Sequence, residues 1–210
     1  NSISLTIIMF SLIGLSWTLA FIALSMILAI SSGWLFDYCE KKGTLPKNQV
    51  NTDLPENFHF WPSAKQELGA VNWNKELAKE IFKGGLSGSR MVIRWLLFGV
   101  LLASAIRGFV SLDDFQTYFG PTLIGFGATL IAATIIEVCS EGSTPIAADL
   151  LTRANAPGNS FAFLMTGVAT DYTEVMVIKD SMKSWKIALF LPLITVPQVI
   201  VVAIILNNLY

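Results

Sequence analysis

Charged residues are missing from four long stretches of this chain, 1–36, 115–136, 154–170 and 187–210. An uncharged run of about 20 residues, wound at roughly 1.5 Å per residue, matches the roughly 30 Å hydrocarbon core of a bilayer. The pattern predicts membrane-spanning helices over 3–30, 91–110, 120–138 and 187–206. In the first, Gly14 and several Ser and Thr residues are spaced as on a helix-packing face. In the last, Pro192 and Pro197 are tolerable where neighbouring helices re-satisfy the backbone. The main polar segment, 37–90, separates the first two spans and is rich in Lys. Within it, "NWNKELAKEIFKGG" predicts a short helix behind an Asn cap. Trp73, Leu77 and Ile81 share one face of that helix and lysines flank it, as in a helix lying on a membrane surface. "GGLSGS" then reads as a hinge into the second span. The expected organisation is a transmembrane helix at 1–36, a cytoplasmic linker at 37–90 and a membrane domain at 91–210.

Composition agrees with this reading. Hydrophobic residues make up 53% of the 210 and charged ones 14%, where soluble domains carry roughly a quarter charged. The mean hydropathy is +0.60. The fold class expected is therefore all-α, a polytopic integral membrane protein in contact with the lipid bilayer. The chain opens with Asn inside an apolar run, with neither a basic leader nor a small-residue cleavage pattern. It reads as a spanning helix of something longer. No basic field points to nucleic acid. Cys39 and Cys139 lie in unlike surroundings, which disfavours a disulfide, and the single His argues against a Cys/His metal site. His59 and Cys39 read as structural and incidental. No catalytic triad, metal-ligand spacing or phosphate loop stands out, so neither enzyme chemistry nor a cofactor is expected.

Trp34 and Tyr38 are placed as interfacial anchors. Arg94 and Arg107, near the ends of the second span, are placed to snorkel toward headgroups. Basic residues crowd into 37–90 and recur at Lys179, Lys183 and Lys186, which puts both regions in the cytoplasm of a cell-membrane protein. Residues 139–178 must then begin and end on one side. Two helical pieces, 145–153 and 160–170, fit a re-entrant hairpin, since each is too short to cross alone. A kinked pair that does cross is the alternative.

The candidate chemistry follows the third span. "EVCSEGSTPIAADLL" brings charge, hydroxyls and a thiol to membrane depth, where polar groups are tolerated only against protein or a water-filled cavity. Gly142 and Pro145 predict a broken helix, with Ser143 or Thr144 capping a piece that starts at Pro145. Glu137 and Glu141 share a helix face if helix persists between them. Two nearby carboxylates in low dielectric cannot both ionise cheaply, which suits proton coupling. The plainer alternative leaves the acids, Asp149 and Arg153 solvated at the membrane edge. Cys139 is either a small buried hydrophobe or a ligand for thiophilic solutes. A second patch, "FLMTGVATDYTEV", ends an apolar half-helix in Gly167, Thr170 and Asp171. Two such breaks facing each other would make one site near the midplane.

"CSEGSTPIAADLL" followed by "GNSFAFLMTGVATDYTEVMVI" resembles the predicted-permease family that includes organoarsenical efflux permeases. Cys139, Ser140, Gly142 and Pro145 match its Cys-Ser-x-Gly-x-x-Pro stretch, and Phe163, Leu164, Gly167, Ala169 and Thr170 match its second. Val168 replaces the family's usual Pro and Asp171 its usual Asn. Glu141 stands where another motif copy often has a second Cys, which tells against a two-thiol site. The resemblance implies half of an inverted-repeat transporter with paired broken helices. The expected activity is export of a small molecule or ion by alternating access. Cys139, Ser140, Gly142, Ser143, Thr144, Pro145, Gly167, Thr170 and Asp171 would contact the solute, and Glu137 and Glu141 would carry protons. The alternative is a non-transporting membrane subunit or scaffold. Expected partners are the solute, thiophilic if Cys139 takes part, the bilayer and a further copy of the chain.

Overall fold

The computed structural model describes residues 3–46, 60–70, 74–136 and 140–209. Their regular structure is helical: α1 (Ile3–Lys41), α2 (Phe60–Ala70), α3 (Lys75–Phe109), α4 (Leu112–Phe119), α5 (Leu123–Ile136), α6 (Ser140–Thr152), α7 (Pro157–Thr170), α8 (Tyr172–Met182) and α9 (Trp185–Leu209). Two compact units result, one from 1–47 with 94–210 and one from 48–93.

The smaller unit holds α2 and the first half of α3. Asn74 caps α3, its Oδ1 accepting the Leu77 amide at 2.8 Å. Trp73 and His59 lie outside the described residues. The hinge expected at "GGLSGS" is not a break, because α3 runs through it. Glycine costs a helix only about 1 kcal/mol each, and the Ser89 hydroxyl adds a bond to the Gly85 carbonyl at 2.8 Å.

In the larger unit, α7 is the central element and packs against α5, α6 and α9. Phe161 and Phe163 are enclosed completely. A tight turn folds α7 back on α6. Asn155 adopts the left-handed conformation at φ 54°, and the amides of Ala154 and Ala156 donate to the carbonyls of Asp149 and Leu150. The Ser160 hydroxyl ties the two helices by donating to the Ala147 carbonyl at 2.6 Å. With 13 and 14 residues, each helix is only about 20 Å long, short of the roughly 30 Å a crossing needs. Gly142 to Leu151 are all buried. The hairpin thus occupies the interior of the helix cluster, where neighbours satisfy and shield it.

Three local expectations are corrected here. The piece expected to start at Pro145 starts at Ser140, and Pro145 lies inside α6. Proline removes one backbone donor, the partner of the Glu141 carbonyl. The Thr144 hydroxyl stitches the same turn by donating to the Ser140 carbonyl at 2.7 Å, so Thr144 serves as a back-bonding residue and not as a cap. Among the described residues of the third span, helix covers Leu123–Ile136. It is preceded by α4, a separate short helix that meets it at 90°. Ser111 caps α4 through the Asp114 amide at 3.1 Å, and Phe115 anchors it in the core.

Large apolar side chains along α1, α5 and α9 point outward, with Leu123 and Ile3 more than four-fifths exposed. Such continuous apolar surface marks contact with lipid. Helices α1, α3 and α9 are long and apolar enough to cross a membrane, and the bent pairs α4–α5 and α7–α8 raise the possible crossings to five. Small residues let helices meet closely. A Cβ on Gly99 would overlap the Gly142 carbonyl, and one on Gly158 would overlap the Ala203 carbonyl.

Candidate transport site

Helix α1 contains a break. Gly14 has φ 80° and ψ 171°, a region open to glycine and strained for other residues. The kink allows Leu5 and Met9 before it, and Phe21 to Ala29 after it, to line one cavity. Thr18 back-bonds to the Gly14 carbonyl at 2.7 Å, which holds the start of the second limb. The cavity measures about 670 Å³ and is closed by the start of α6, the later turns of α7 and Glu174 of α8.

The start of α6 presents Ser140 and Glu141. Glu141 accepts hydrogen bonds from Ser4 at 3.0 Å and Ser140 at 3.3 Å. Its place in the first turn suits the positive end of the α6 dipole. From α7 come Leu164, Met165 and Val168, while Glu174 stands exposed at the rim. Ser25, Ala29, Met165, Val168 and Glu174 also line a second cavity of about 370 Å³, bounded by α9 through Leu191 and Thr195. The two spaces share one wall.

Both sequence motifs therefore meet, though not through every residue expected. Ser140 and Glu141 face the cavity. Gly142 and Ser143 instead border a small gap against Trp95 and Phe98 of α3. Thr144, Pro145 and Gly167 are buried within the hairpin. Thr170 donates to the Thr166 carbonyl at 2.8 Å. Asp171 caps α8 by accepting the Thr173 amide at 2.9 Å and its hydroxyl at 2.7 Å. Those bonds account for the polar residues at the second break. Glu137 and Cys139 lie outside the described residues. Glu174 and Ser25 were not singled out as site residues from sequence. Glu174 sits three residues past Asp171, and that spacing on a helix start was the available signal.

A second polar centre braces the hairpin. Asp149 is 1% exposed and accepts both its oxygens' bonds from Arg107 Nε at 3.0 Å. Arg153 lies 3.9 Å from the same carboxylate and its guanidinium stacks over Phe115 at 5.0 Å. The solvated reading of Asp149 is thus corrected, and Arg107 is engaged by protein instead of only reaching outward. Burying that carboxylate is tolerable because it is paired and multiply hydrogen-bonded. In the first turn of α7, the fully buried Asn159 donates to the Phe119 and Gly120 carbonyls at 2.8 and 2.9 Å. It also accepts from Asn207 at 2.8 Å, and Asn207 in turn accepts the Gly158 amide at 2.7 Å. This network joins the α4–α5 corner to α7 and α9. Cys39 is a free, half-buried thiol.

A multi-pass helical membrane protein with a large cavity at the meeting of broken helices is the class these features define. The family model described as "Predicted permease" matches residues 1–208. The chain belongs to that predicted-permease family. It is also 26% identical over 178 residues to a Streptococcus mutans serotype c protein named "Putative two-component membrane permease complex subunit". That match covers 83% of this chain and 54% of the relative, so the chain spans about half of the relative's length. No solved structure matches the chain.

Proposed function

We propose that the chain is the solute-carrying part of a permease, exporting a small solute across the cell membrane by alternating access. The observation that carries this is the cavity between α1, α6, α7 and α8, in which two carboxylates and two hydroxyls meet an otherwise apolar wall. Its volume lies within the roughly 300–1,000 Å³ of small-molecule sites. Three elements that end or bend at its wall supply the polar groups, the construction by which transporters expose polar groups at membrane depth. Glu141 carries protons in this reading, with Glu137 its neighbour in sequence. Ser140 contacts solute and Cys139 adjoins it. Gly142, Pro145 and Gly167 act by allowing close packing, not by touching solute. The segment 37–90 faces the cytoplasm.

The test is transport. In cells expressing the protein, Glu141→Gln at normal membrane abundance is expected to abolish efflux from a panel of small toxic solutes. Full retention would remove Glu141 from the mechanism. The relative's name favours a second reading, in which the chain works as one subunit of a two-component complex. Transport that needs this chain but survives both Glu141→Gln and occlusion of the cavity by Ser25→Trp would favour the scaffold role.

A further inference from the structure

The geometry points to a monovalent, amphipathic organic cation as the solute of this cavity, an inference that rests on the permease function proposed above. No Lys, Arg or His is among the described residues that line either of the two adjoining cavities, whereas Glu174 lines both and Glu141 the larger. An anion would meet two carboxylates in a site of low dielectric, where like charges repel strongly. The remaining wall is Phe21, the thioethers of Met9, Met26 and Met165, and aliphatic side chains. An aromatic face and polarisable sulfur both suit an organic cation carrying apolar groups.

A bare metal ion fits poorly. Ca²⁺ takes six to eight oxygen ligands, and the described residues contain no group of three or more His, Cys, Asp or Glu able to hold a metal. The volume also exceeds what one ion needs. The last turns of α7, which form part of the wall, are that helix's negative pole. Glu141 already complements the positive start of α6. Among the described residues Glu174 has no ion-pair partner, and it stands on the wall common to both spaces. A cation passing from one to the other would meet Glu174 on the way.

The experiment compares phenyltrimethylammonium with its neutral isostere tert-butylbenzene and with benzenesulfonate. Equilibrium binding to the full chain is measured in neutral phosphatidylcholine nanodiscs. The cation is expected to bind saturably and about tenfold more tightly than the isostere, the equivalent of about 1.4 kcal/mol, and the sulfonate not to bind. Glu174→Gln, an exposed position that leaves the packing alone, should weaken the cation by about tenfold. Ser25→Trp should abolish binding. Equal affinity for the isostere, an unchanged cation affinity in Glu174→Gln, or no saturable cation binding would each overturn the inference. Isostere binding that Ser25→Trp blocks would do so while leaving the cavity as the permease's solute site. Binding indifferent to Ser25→Trp would remove the cavity from both readings.

Discussion

Asp149 is buried, and its pairing with the more exposed Arg107 fixes α6 against the end of α3. Removing Arg107 leaves the buried carboxylate with Arg153, 3.9 Å away, as its remaining cation, so its charge is compensated less well. Because Arg107 is itself more than half exposed, Arg107→Ala should lower stability by about 1–2 kcal/mol, read as a drop in melting temperature of the detergent-solubilised protein. Arg107→Leu combined with Asp149→Leu should recover part of that loss, because the buried carboxylate is then gone. A double variant as unstable as Arg107→Ala would show that packing, not charge, sets the effect. Sequence gave Arg107 a plausible membrane-edge position, but no spacing rule joins it to a residue 42 positions away. The side chains of Thr170, Asp171 and Asn159 teach the same lesson. Their types announce polarity at membrane depth, while the contacts decide whether a group is left for solute or spent on the backbone.

At the scale of elements, the α6–α7 hairpin was legible in outline. Two short helical pieces were expected over 145–153 and 160–170, and two short helices form. Their starts moved earlier, to Ser140 and Pro157, because tertiary packing outweighs the local cost of Gly142 and Pro145. Close helix crossings depend on glycine. Gly158→Ala should force α7 away from the Ala203 carbonyl and destabilise the protein by about 1–3 kcal/mol. Gly127→Ala, where a Cβ meets nothing within 4 Å, should be neutral or slightly stabilising through helix propensity. Thermal unfolding of the two variants side by side checks the contrast. Equal melting points would refute the close-packing account.

For the molecule as a whole, the proposal that the 37–90 segment faces the cytoplasm rests on the distribution of lysines. Cys39, a native free thiol near the end of α1, offers a direct check. On a Cys139→Ser background, a membrane-impermeant maleimide should label Cys39 in inside-out vesicles and leave it unlabelled in intact cells. Labelling in intact cells would reverse the orientation.

Sequence alone determined that this chain is helical and lives in a membrane, because solvation by lipid acts on every residue and leaves its mark in composition and charge spacing. It also located the two polar motifs, since charge and hydroxyls stand out against an apolar background, and their matching stretches pointed to the permease family. Tertiary structure decided which of those polar groups face an open cavity. Glu141 and Ser140 do, Glu174 joins them from a third helix, and Thr144, Thr170 and Asp171 turn inward to neighbouring backbone. Whether a polar side chain is available depends on partners brought near by folding, and Gly14's kink, which sets both limbs of α1 on one cavity, is a property of backbone conformation that residue type permits without prescribing.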